Sequence, residues 1–204
     1  MIELAGKNVR VVGLGLSGVA AVELCVARGA RVVGIDRRPR AQLGEAAQRL
    51  TVPVLTEEQA AGELPFADLI VVSPGVDGFA AIAAAEAAGV PVIGELELAA
   101  RLVSAPLCAI GGTNGKSTTT ELVAAMLTES GQQVFCGGNL GTPLARAVGQ
   151  RWDSLVVEVS SFQLERAPQF RPRVSVLLNI TDDHLDRHGS FANYAAAKGN
   201  AFVN

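Results

Sequence analysis

A glycine-rich segment between an apolar run and a helical pattern constrains this chain more than any other feature. Residues 111–117 read Gly-Gly-Thr-Asn-Gly-Lys-Ser; they follow the apolar residues 106–110 and precede a helical pattern over 118–127. A turn from strand to helix directs backbone N–H groups and the positive end of the helix dipole at one point. Lys116 adds a positive charge for a terminal phosphate, and the Ser117 hydroxyl can bind magnesium. The segment therefore predicts a strand–turn–helix unit that holds the triphosphate of ATP.

The spacing of this segment departs from the usual phosphate loop. That loop has a glycine where this chain has Ile110, and the glycines here are Gly111 and Gly112. Glycine-rich turns between strand and helix also occur as plain packing devices. Because a strand, Gly-Lys-Ser and a helix coincide, we interpret the segment as a phosphate site.

Composition narrows the class of protein. The 204 residues suit one large or two small domains, and a hydrophobic content of 49% argues against disorder. No apolar run is long enough to span a membrane, the start lacks the pattern of a secretory signal, and a net charge of -3 gives no basic surface for nucleic acid. The three cysteines lack metal-type spacing, which indicates reduced core thiols in a cytoplasmic protein.

Strand and helix patterns alternate along the chain, which indicates parallel sheets covered by helices. A domain boundary is expected between Gly94 and Pro106, which divides the chain into residues 1–94 and 95–204. The patterns predict strands at 8–12, 31–35, 52–54, 68–72, 90–93, 106–110, 133–135, 154–159 and 174–178. They predict helices at 19–28, 41–50, 79–88, 95–103, 118–127 and 144–148, and one from about 190.

The second domain is expected to be incomplete. A phosphate-loop domain normally has more strands than the three or so that follow Lys116 here. We therefore expect the chain to be a fragment of a longer protein, with strand edges and apolar surface left exposed.

Another glycine-rich turn follows the first predicted strand; because it comes earlier in the chain, we call it the first glycine turn and the phosphate loop the second. Residues 13–18 fit G-x-G-x-x-G, and Asp36 ends the next strand, where an acidic residue would meet a ribose. The pattern suits NAD, yet a UDP diphosphate at a helix N-terminus satisfies it equally well. Arg37 and Arg38 could contact phosphate or base, or could be solvated surface charge. Residues 73–75, Ser-Pro-Gly, form another strand-end turn that can face the same crevice.

Polar groups follow two later strands of the second domain. Glu158 ends an apolar strand, where a carboxylate is costly unless it is paired or binds a metal, and it is well placed for magnesium. His184 could bind metal or orient a phosphate, whereas His188 is expected at the surface. Lys198, on an Ala-rich helix, is by default solvated.

Taken together, these segments resemble the Mur ligases, ATP-dependent amide-forming enzymes of peptidoglycan precursor synthesis. The likeness spans essentially the whole chain in the family's order. The segments that carry it are residues 13–18, 73–75, 112–117, 138–141, 158–164, 183–187 and 194–198.

The resemblance implies an α/β protein with a Rossmann-like parallel-sheet domain for the UDP end of the substrate, followed by a truncated P-loop ATPase-type domain. A C-terminal domain for the incoming amino acid would be absent. The implied residues of the UDP site are Leu16, Ser17, Asp36, Arg37, Arg38 and Gly75, with Asn139 reaching it from the second domain. The implied ATP site is Gly112, Thr113, Asn114, Gly115, Lys116, Ser117 and Thr118.

The resemblance also implies catalytic roles. Lys116 would hold the β- and γ-phosphates, and Ser117 and Glu158 would bind one magnesium ion. His184 would help to place a second magnesium ion, together with Lys198 as an N-carbamylated, carboxylate-like ligand.

The implied reaction joins D-glutamate to UDP-N-acetylmuramoyl-L-alanine. The substrate carboxylate attacks the γ-phosphate of ATP, and the D-glutamate amine attacks the resulting acyl phosphate as phosphate leaves. Catalysis would consist mainly of positioning and charge neutralisation. The full-length enzyme would be a cytoplasmic monomer, and this chain alone is expected to be inactive because the D-glutamate site is missing.

Three alternatives remain open from the sequence. A dinucleotide-dependent oxidoreductase would use the first glycine turn, but it leaves Lys116 and Glu158 unexplained. A non-enzymatic nucleotide-binding module or a P-loop kinase would use the second. Another Mur-type or folylpolyglutamate-type ligase is the third alternative.

Overall fold

The computed structural model describes residues 2–139 and 141–204, so that Leu140 of the 138–141 segment lies outside the described residues. Two parallel sheets form the chain, as the alternating pattern predicts. The first sheet contains β1 Asn8–Val12, β2 Arg31–Asp36, β3 Val54–Thr56, β4 Leu69–Val72 and β5 Val92–Gly94. The second contains β6 Leu107–Gly111, β7 Val134–Gly138, β8 Ser154–Glu158 and β9 Val174–Leu177.

Helices connect and cover the strands. The α-helices are α1 Leu16–Ala27, α2 Glu45–Gln48, α3 Glu57–Ala60, α4 Ala80–Ala87, α5 Glu95–Ala100, α6 Lys116–Glu129, α7 Ser161–Glu165, α8 Leu185–His188 and α9 Phe191–Gly199. Short 3₁₀ helices span Arg40–Gln42, Leu64–Phe66, Leu144–Ala147 and Asn200–Phe202. Among the helices that the structure describes, none has the length and apolarity needed to cross a bilayer.

Strand order places a crevice at the centre of the first sheet. The order is β3-β2-β1-β4-β5, so the chain builds outward from β1 on one side and from β4 on the other. Strand β1 pairs with both β2 and β4, for example Val9 with Val32 and with Leu69. In open parallel sheets, ligands bind beyond the carboxyl ends of the strands where the order reverses. The turns after β1 and β4 meet at that point.

The second sheet has the order β7-β8-β6-β9, which places the phosphate-loop strand β6 between β8 and β9. Its central strands are almost wholly apolar and buried, as is usual for a parallel sheet covered on both faces. The carboxyl ends of β6, β8 and β9 therefore meet at one edge, where the chain places Lys116, Glu158 and Asn179.

The two sheets share one apolar core. Leu96 and Leu98 of α5 belong to the same buried cluster as Val9 of the first sheet and Leu155 of the second. Among the described residues, three ion pairs also join the first unit, residues 2–94, to the second unit, residues 95–204, and in each the arginine comes from the second unit and the carboxylate from the first. The pairs are Arg146 with Glu23, Arg166 with Glu86 and Arg187 with Asp77.

Two predicted helices are wrong. Residues 41–50 form the 3₁₀ helix Arg40–Gln42 and the short α2, separated by Leu43 and Gly44 in extended conformation. Leu43 is buried there, and the Gln48 side chain donates to its carbonyl oxygen at 2.7 Å, which replaces a helical bond. The predicted helix at 144–148 is the 3₁₀ helix Leu144–Ala147, which begins directly after Pro143.

Two edge strands begin later in the chain than predicted. Strand β3 begins at Val54 and β5 at Val92, two residues beyond the predicted starts at 52 and 90. Pro53 and Pro91 precede them, and proline has no N–H to donate to a neighbouring strand.

The cysteines are free thiols; Cys25 is buried, which raises its pKa to about 12, while Cys108 and Cys136 are only half-buried.

The helix α5 that connects the units carries a buried carboxyl group. Glu95 is 1% exposed; its Oε1 accepts a hydrogen bond from the Ala145 N–H at 2.6 Å, and its Oε2 has no partner among the described residues. Burial raises the pKa of the Glu95 carboxyl to about 7, although the Ala145 bond opposes the rise. The Glu95 carboxyl group therefore binds its proton more tightly in the folded chain than in the unfolded chain.

Stability is expected to fall as the pH rises through the window between the unfolded and folded pKa of Glu95, from 4.5 to about 7. Glu95→Gln keeps the acceptor for the Ala145 N–H and removes the titration. Over that window the native chain should lose on the order of 3 kcal/mol relative to Glu95→Gln. Urea denaturation as a function of pH measures the difference. Glu45→Gln, an exposed control, should keep the native slope, and a native slope in Glu95→Gln would contradict the assignment.

Candidate functional site

The phosphate loop lies between β6 and α6, and α6 begins at Lys116, two residues earlier than predicted. Gly112 has φ +150 and Gly115 has φ +82, conformations that L side chains rarely adopt. A Cβ at Gly112 would also lie 3.2 Å from the Leu178 Cβ. Ile110, at the position of the missing glycine, is a buried residue of β6 itself. The irregular spacing thus reflects a strand that runs further before the turn.

The loop geometry suits an anion. The first turn of an α-helix has N–H groups without intrahelical acceptors, and here they belong to Lys116, Ser117 and Thr118. The Lys116 side chain folds back over the loop, and its Nζ donates to the Thr113 carbonyl oxygen at 2.8 Å. These N–H donors and the ammonium group face the same turn, so the residues present fit a nucleotide phosphate.

Asn179, which follows β9, fixes the loop from the neighbouring strand. Its Oδ1 accepts from the Thr113 N–H at 3.2 Å and from the Asn114 N–H at 2.9 Å. Its Nδ2 donates to the Asn114 carbonyl oxygen at 3.0 Å. Sequence reasoning gave this residue no role, although a polar amide directly after a buried strand was a usable signal.

Glu158 joins the two predicted sites. The carboxylate is only 3% exposed and accepts from the Ser117 hydroxyl at 2.7 Å and from the Asn139 Nδ2 at 2.7 Å. These two donors offset the cost of burying a charge. Hydroxyl and carboxylate oxygens are also the ligands that magnesium prefers, so Ser117 and Glu158 fit one ion beside the phosphate loop.

His184 and Lys198 both lie beside Tyr194. The His184 ring is 6.1 Å from the Tyr194 ring, and the Lys198 Nζ is 4.6 Å from that ring. Lys198 is buried rather than solvated, and its Nζ donates to the Gly112 carbonyl oxygen at 2.7 Å. Among the described residues no three His, Cys, Asp or Glu side chains are grouped for a metal. An unmodified ammonium is not a metal ligand.

The prediction that His188 lies at the surface is wrong. Its imidazole is buried between α7 and α9; Nε2 is 3.0 Å from the Ser161 hydroxyl, and Nδ1 is 3.2 Å from the Glu165 carboxylate. The ring stacks on Phe162 at 5.5 Å and packs against Tyr194 at 5.2 Å. Alone, a histidine near a short turn carries no sequence signal of this burial.

A cleft of about 270 Å³ lies between the turn at residues 13–18, the turn after β4 and the turn after β7. Three of the residues implied for the UDP site line it, namely Leu16, Ser17 and Asn139. Gln163 also lines this cleft and had no role in the sequence analysis. Gly75 lines an adjoining cavity of about 20 Å³ instead.

Asp36, Arg37 and Arg38 do not line that cleft. The Asp36 carboxylate accepts from the Leu14 N–H at 2.9 Å and from the Arg38 Nε at 3.1 Å. Burial opposes its ionisation, but the hydrogen bonds from Arg38 and Leu14 outweigh burial and hold the pKa of Asp36 below its usual value. Asp36 therefore fixes the turn at residues 13–18. Arg37 pairs with Glu57 at 3.2 Å.

The first glycine turn depends on a close approach of α1 to the turn. Gly18 lies so near the Gly13 carbonyl oxygen that an added Cβ would come within 1.8 Å of it. The same oxygen accepts from the Ser73 hydroxyl at 2.6 Å, which ties the turn after β1 to the turn after β4. The two turns are thereby fixed against each other at the crevice.

Two domain families match consecutive parts of this chain. Residues 7–94 match the family described as "Mur ligase MurD-like, N-terminal domain". Residues 110–204 match the family described as "Mur ligase middle domain". Between them, the two matches cover every strand of both sheets except the first three residues of β6.

Curated relatives align along almost the whole chain. The chain is 50% identical over 207 residues to the UDP-N-acetylmuramoylalanine--D-glutamate ligase of Anaeromyxobacter dehalogenans, covering 98% of this chain and 45% of the relative. It is 47% identical over 208 residues to the enzyme of that name from Syntrophotalea carbinolica, covering 100% of this chain and 46% of the relative. The chain thus spans less than half the length of these relatives.

Solved structures share the fold. UDP-N-acetylmuramate:L-alanyl-gamma-D-glutamyl-meso-diaminopimelate ligase from Neisseria meningitides superposes with a TM-score of 0.62 at 19% identity, covering 97% of this chain and 68% of that chain. UDP-N-acetylmuramate-alanine ligase from Thermotoga maritima gives 0.57 at 23% identity, covering 96% and 46%. At these identities the likeness concerns the fold alone.

Proposed function

Because this chain belongs to the Mur ligase family, we propose that it is the UDP-substrate and ATP-binding part of a ligase that adds D-glutamate to UDP-N-acetylmuramoyl-L-alanine. One observation carries the proposal. Asn139 lines the cleft beside the turn at residues 13–18, and its Nδ2 also donates to Glu158, the expected magnesium ligand. A single contact therefore joins the substrate cleft to the nucleotide site, as a ligase that phosphorylates its substrate requires.

The residues of this chain would divide the work of the first chemical step. ATP, when bound with magnesium, supplies the phosphoryl group that activates the substrate carboxylate. The N–H groups of the first turn of α6 and the Lys116 ammonium would hold the phosphates. Ser117 and Glu158 would hold one magnesium ion, and the cleft beside Asn139 would orient the sugar end of the substrate.

The remaining parts of the proposal rest on fewer contacts. Lys198 is proposed to be N-carbamylated, which would turn a buried amine that forms no ion pair with another described residue into a metal ligand near His184. We propose the domain boundary between residues 94 and 95, where β5, an edge strand of the first sheet, ends and α5 begins. A monomeric full-length enzyme in the cytoplasm completes the proposal, and the free thiols support that location.

Isothermal titration calorimetry with the chain tests the substrate class. In buffer with magnesium, UDP-N-acetylmuramoyl-L-alanine is expected to bind more tightly than UDP-N-acetylmuramate, because an ion held beside Glu158 would attract the alanyl carboxylate. Tighter binding of the shorter ligand would contradict the proposed substrate. NADH, monitored by fluorescence, serves as the control ligand, and saturable NADH binding at the same cleft would favour an oxidoreductase instead.

A further inference from the structure

Ser161, His188 and Glu165 form a series of close polar contacts that none of the proposed catalytic roles uses. The Ser161 Oγ lies 3.0 Å from the His188 Nε2, and the His188 Nδ1 lies 3.2 Å from the Glu165 Oε1. The series has the order of a serine–histidine–acid triad. Ser161 is 2% exposed, however, so its hydroxyl cannot meet a substrate.

The helix that carries His188 has little structure of its own. Helix α8 has four residues, and a left-handed residue stands at each end, His184 with φ 51 and Gly189 with φ 73. So short a helix is marginal by itself, and packing must set its position. The structure provides that packing through His188, whose ring bonds to α7, and through Asn193, whose Nδ2 donates to the His188 carbonyl oxygen at 2.9 Å.

The position of α8 matters for the proposed ATP site because His184 directly precedes the first residue of α8. The His184 ring packs 4.9 Å from Phe162, and the His188 ring stacks on the same phenyl group. His188 also packs against Tyr194, whose hydroxyl lies 3.0 Å from the Thr113 hydroxyl in the phosphate loop. His188 therefore contacts the two aromatic rings that hold His184 and the loop.

We propose that His188 is a positioning residue: anchored by Ser161 and Glu165, it fixes α8 and so places the His184 imidazole and the Tyr194–Thr113 contact at the phosphate loop. Its relevance to nucleotide binding rests on the proposed function. The placement of His184 itself does not, because it can be observed in the chain without any ligand.

The chain has only two histidines, which makes a direct observation possible. In a ¹H–¹³C spectrum of the imidazole Cε1–H groups, His188→Phe removes the His188 signal. The one imidazole signal that remains is then assigned to His184. In His188→Phe and Ser161→Ala, that signal should move towards the position of an unstacked imidazole. Ser175→Ala is the matched control. It also removes one serine hydrogen bond of the second unit, the bond from the Ser175 hydroxyl to the Ala201 carbonyl oxygen, but this bond does not involve His188. It should leave the signal in place.

The outcome separates positioning from mere stability. A lower melting temperature in all three variants with an unmoved His184 signal would overturn the proposal. If His188→Phe does not fold, Ser161→Ala decides alone, because it deletes one hydroxyl and keeps the ring. Labelling of Ser161 by a fluorophosphonate would also overturn it, since an anchoring hydroxyl does not react.

A measurement of ligand affinity is the second test of the proposal. Ser161→Ala should weaken binding of magnesium-ATP roughly tenfold and leave the affinity for UDP-N-acetylmuramoyl-L-alanine unchanged. Equal loss for both ligands would contradict a role at the ATP edge. A native chain that binds no nucleotide would count against the proposed function, while the His184 signal still decides the positioning role.

Discussion

Replacing Gly18 with alanine is expected to destabilise the chain by about 3 kcal/mol or more, although glycine to alanine normally stabilises a helix. The new Cβ would lie 1.8 Å from the Gly13 carbonyl oxygen and 2.7 Å from the Ser73 Oγ. Neither neighbour can move freely, because the Ser73 hydroxyl donates to that oxygen and Gly13 holds φ +85. Urea denaturation followed by circular dichroism measures the loss.

Gly15→Ala provides the matched control three residues earlier. Its Cβ would have nothing within 4 Å, and Gly15 has φ -76, which any residue adopts. The control should lose at most about 1 kcal/mol, the usual cost of placing alanine instead of glycine at a helix N-cap. A Gly18→Ala chain as stable as Gly15→Ala would show that α1 does not approach the turn as closely as the structure indicates.

Replacing Lys116 with methionine is expected to weaken ATP binding about 100-fold, the equivalent of 2–3 kcal/mol for charge-assisted bonds to phosphate. Methionine keeps the length of the stem and removes the ammonium group. Stability should change little, because the group bonds only to the Thr113 carbonyl oxygen among the described residues. Calorimetry with magnesium and a non-hydrolysable ATP analogue measures the affinity.

Lys7→Met is the charge-matched control for that experiment. Lys7 is half-exposed on the first unit, and its Nζ is 3.9 Å from Asp68. Nucleotide affinity should stay at the native value in this variant. Equal weakening by both substitutions would indicate that net charge, rather than a bond from Lys116, governs nucleotide binding.

Local patterns predicted the sheets and both glycine turns well, because buried parallel strands are apolar runs and turns need glycine at positive φ. Segment 41–50 misled because its alanines favour a helix, whereas the burial of Leu43 depends on contacts distant in sequence. The burial of His188 is of the same kind, since Ser161 and Glu165 lie on another helix.

Lys198 differs, because its burial could have been predicted. Tyr194, Ala197, Lys198 and Ala201 follow the spacing i, i+3, i+4 and i+7, and all four are buried. The pattern places the lysine on the apolar face of α9 and its continuation. Composition alone, an alanine-rich helix with one charge, gave the opposite expectation.

The hydrogen bonds between the Asn179 side chain and the phosphate loop affect the thermodynamics of ligand binding. Its three side-chain hydrogen bonds hold Thr113 and Asn114 in one turn conformation in the chain without ligand. Fixing the backbone of a residue costs about 1–2 kcal/mol in conformational entropy, and here folding has already met that cost. Phosphate binding to this preorganised loop therefore carries little entropic penalty from loop ordering, and Asn179→Ala would transfer that penalty from folding to binding.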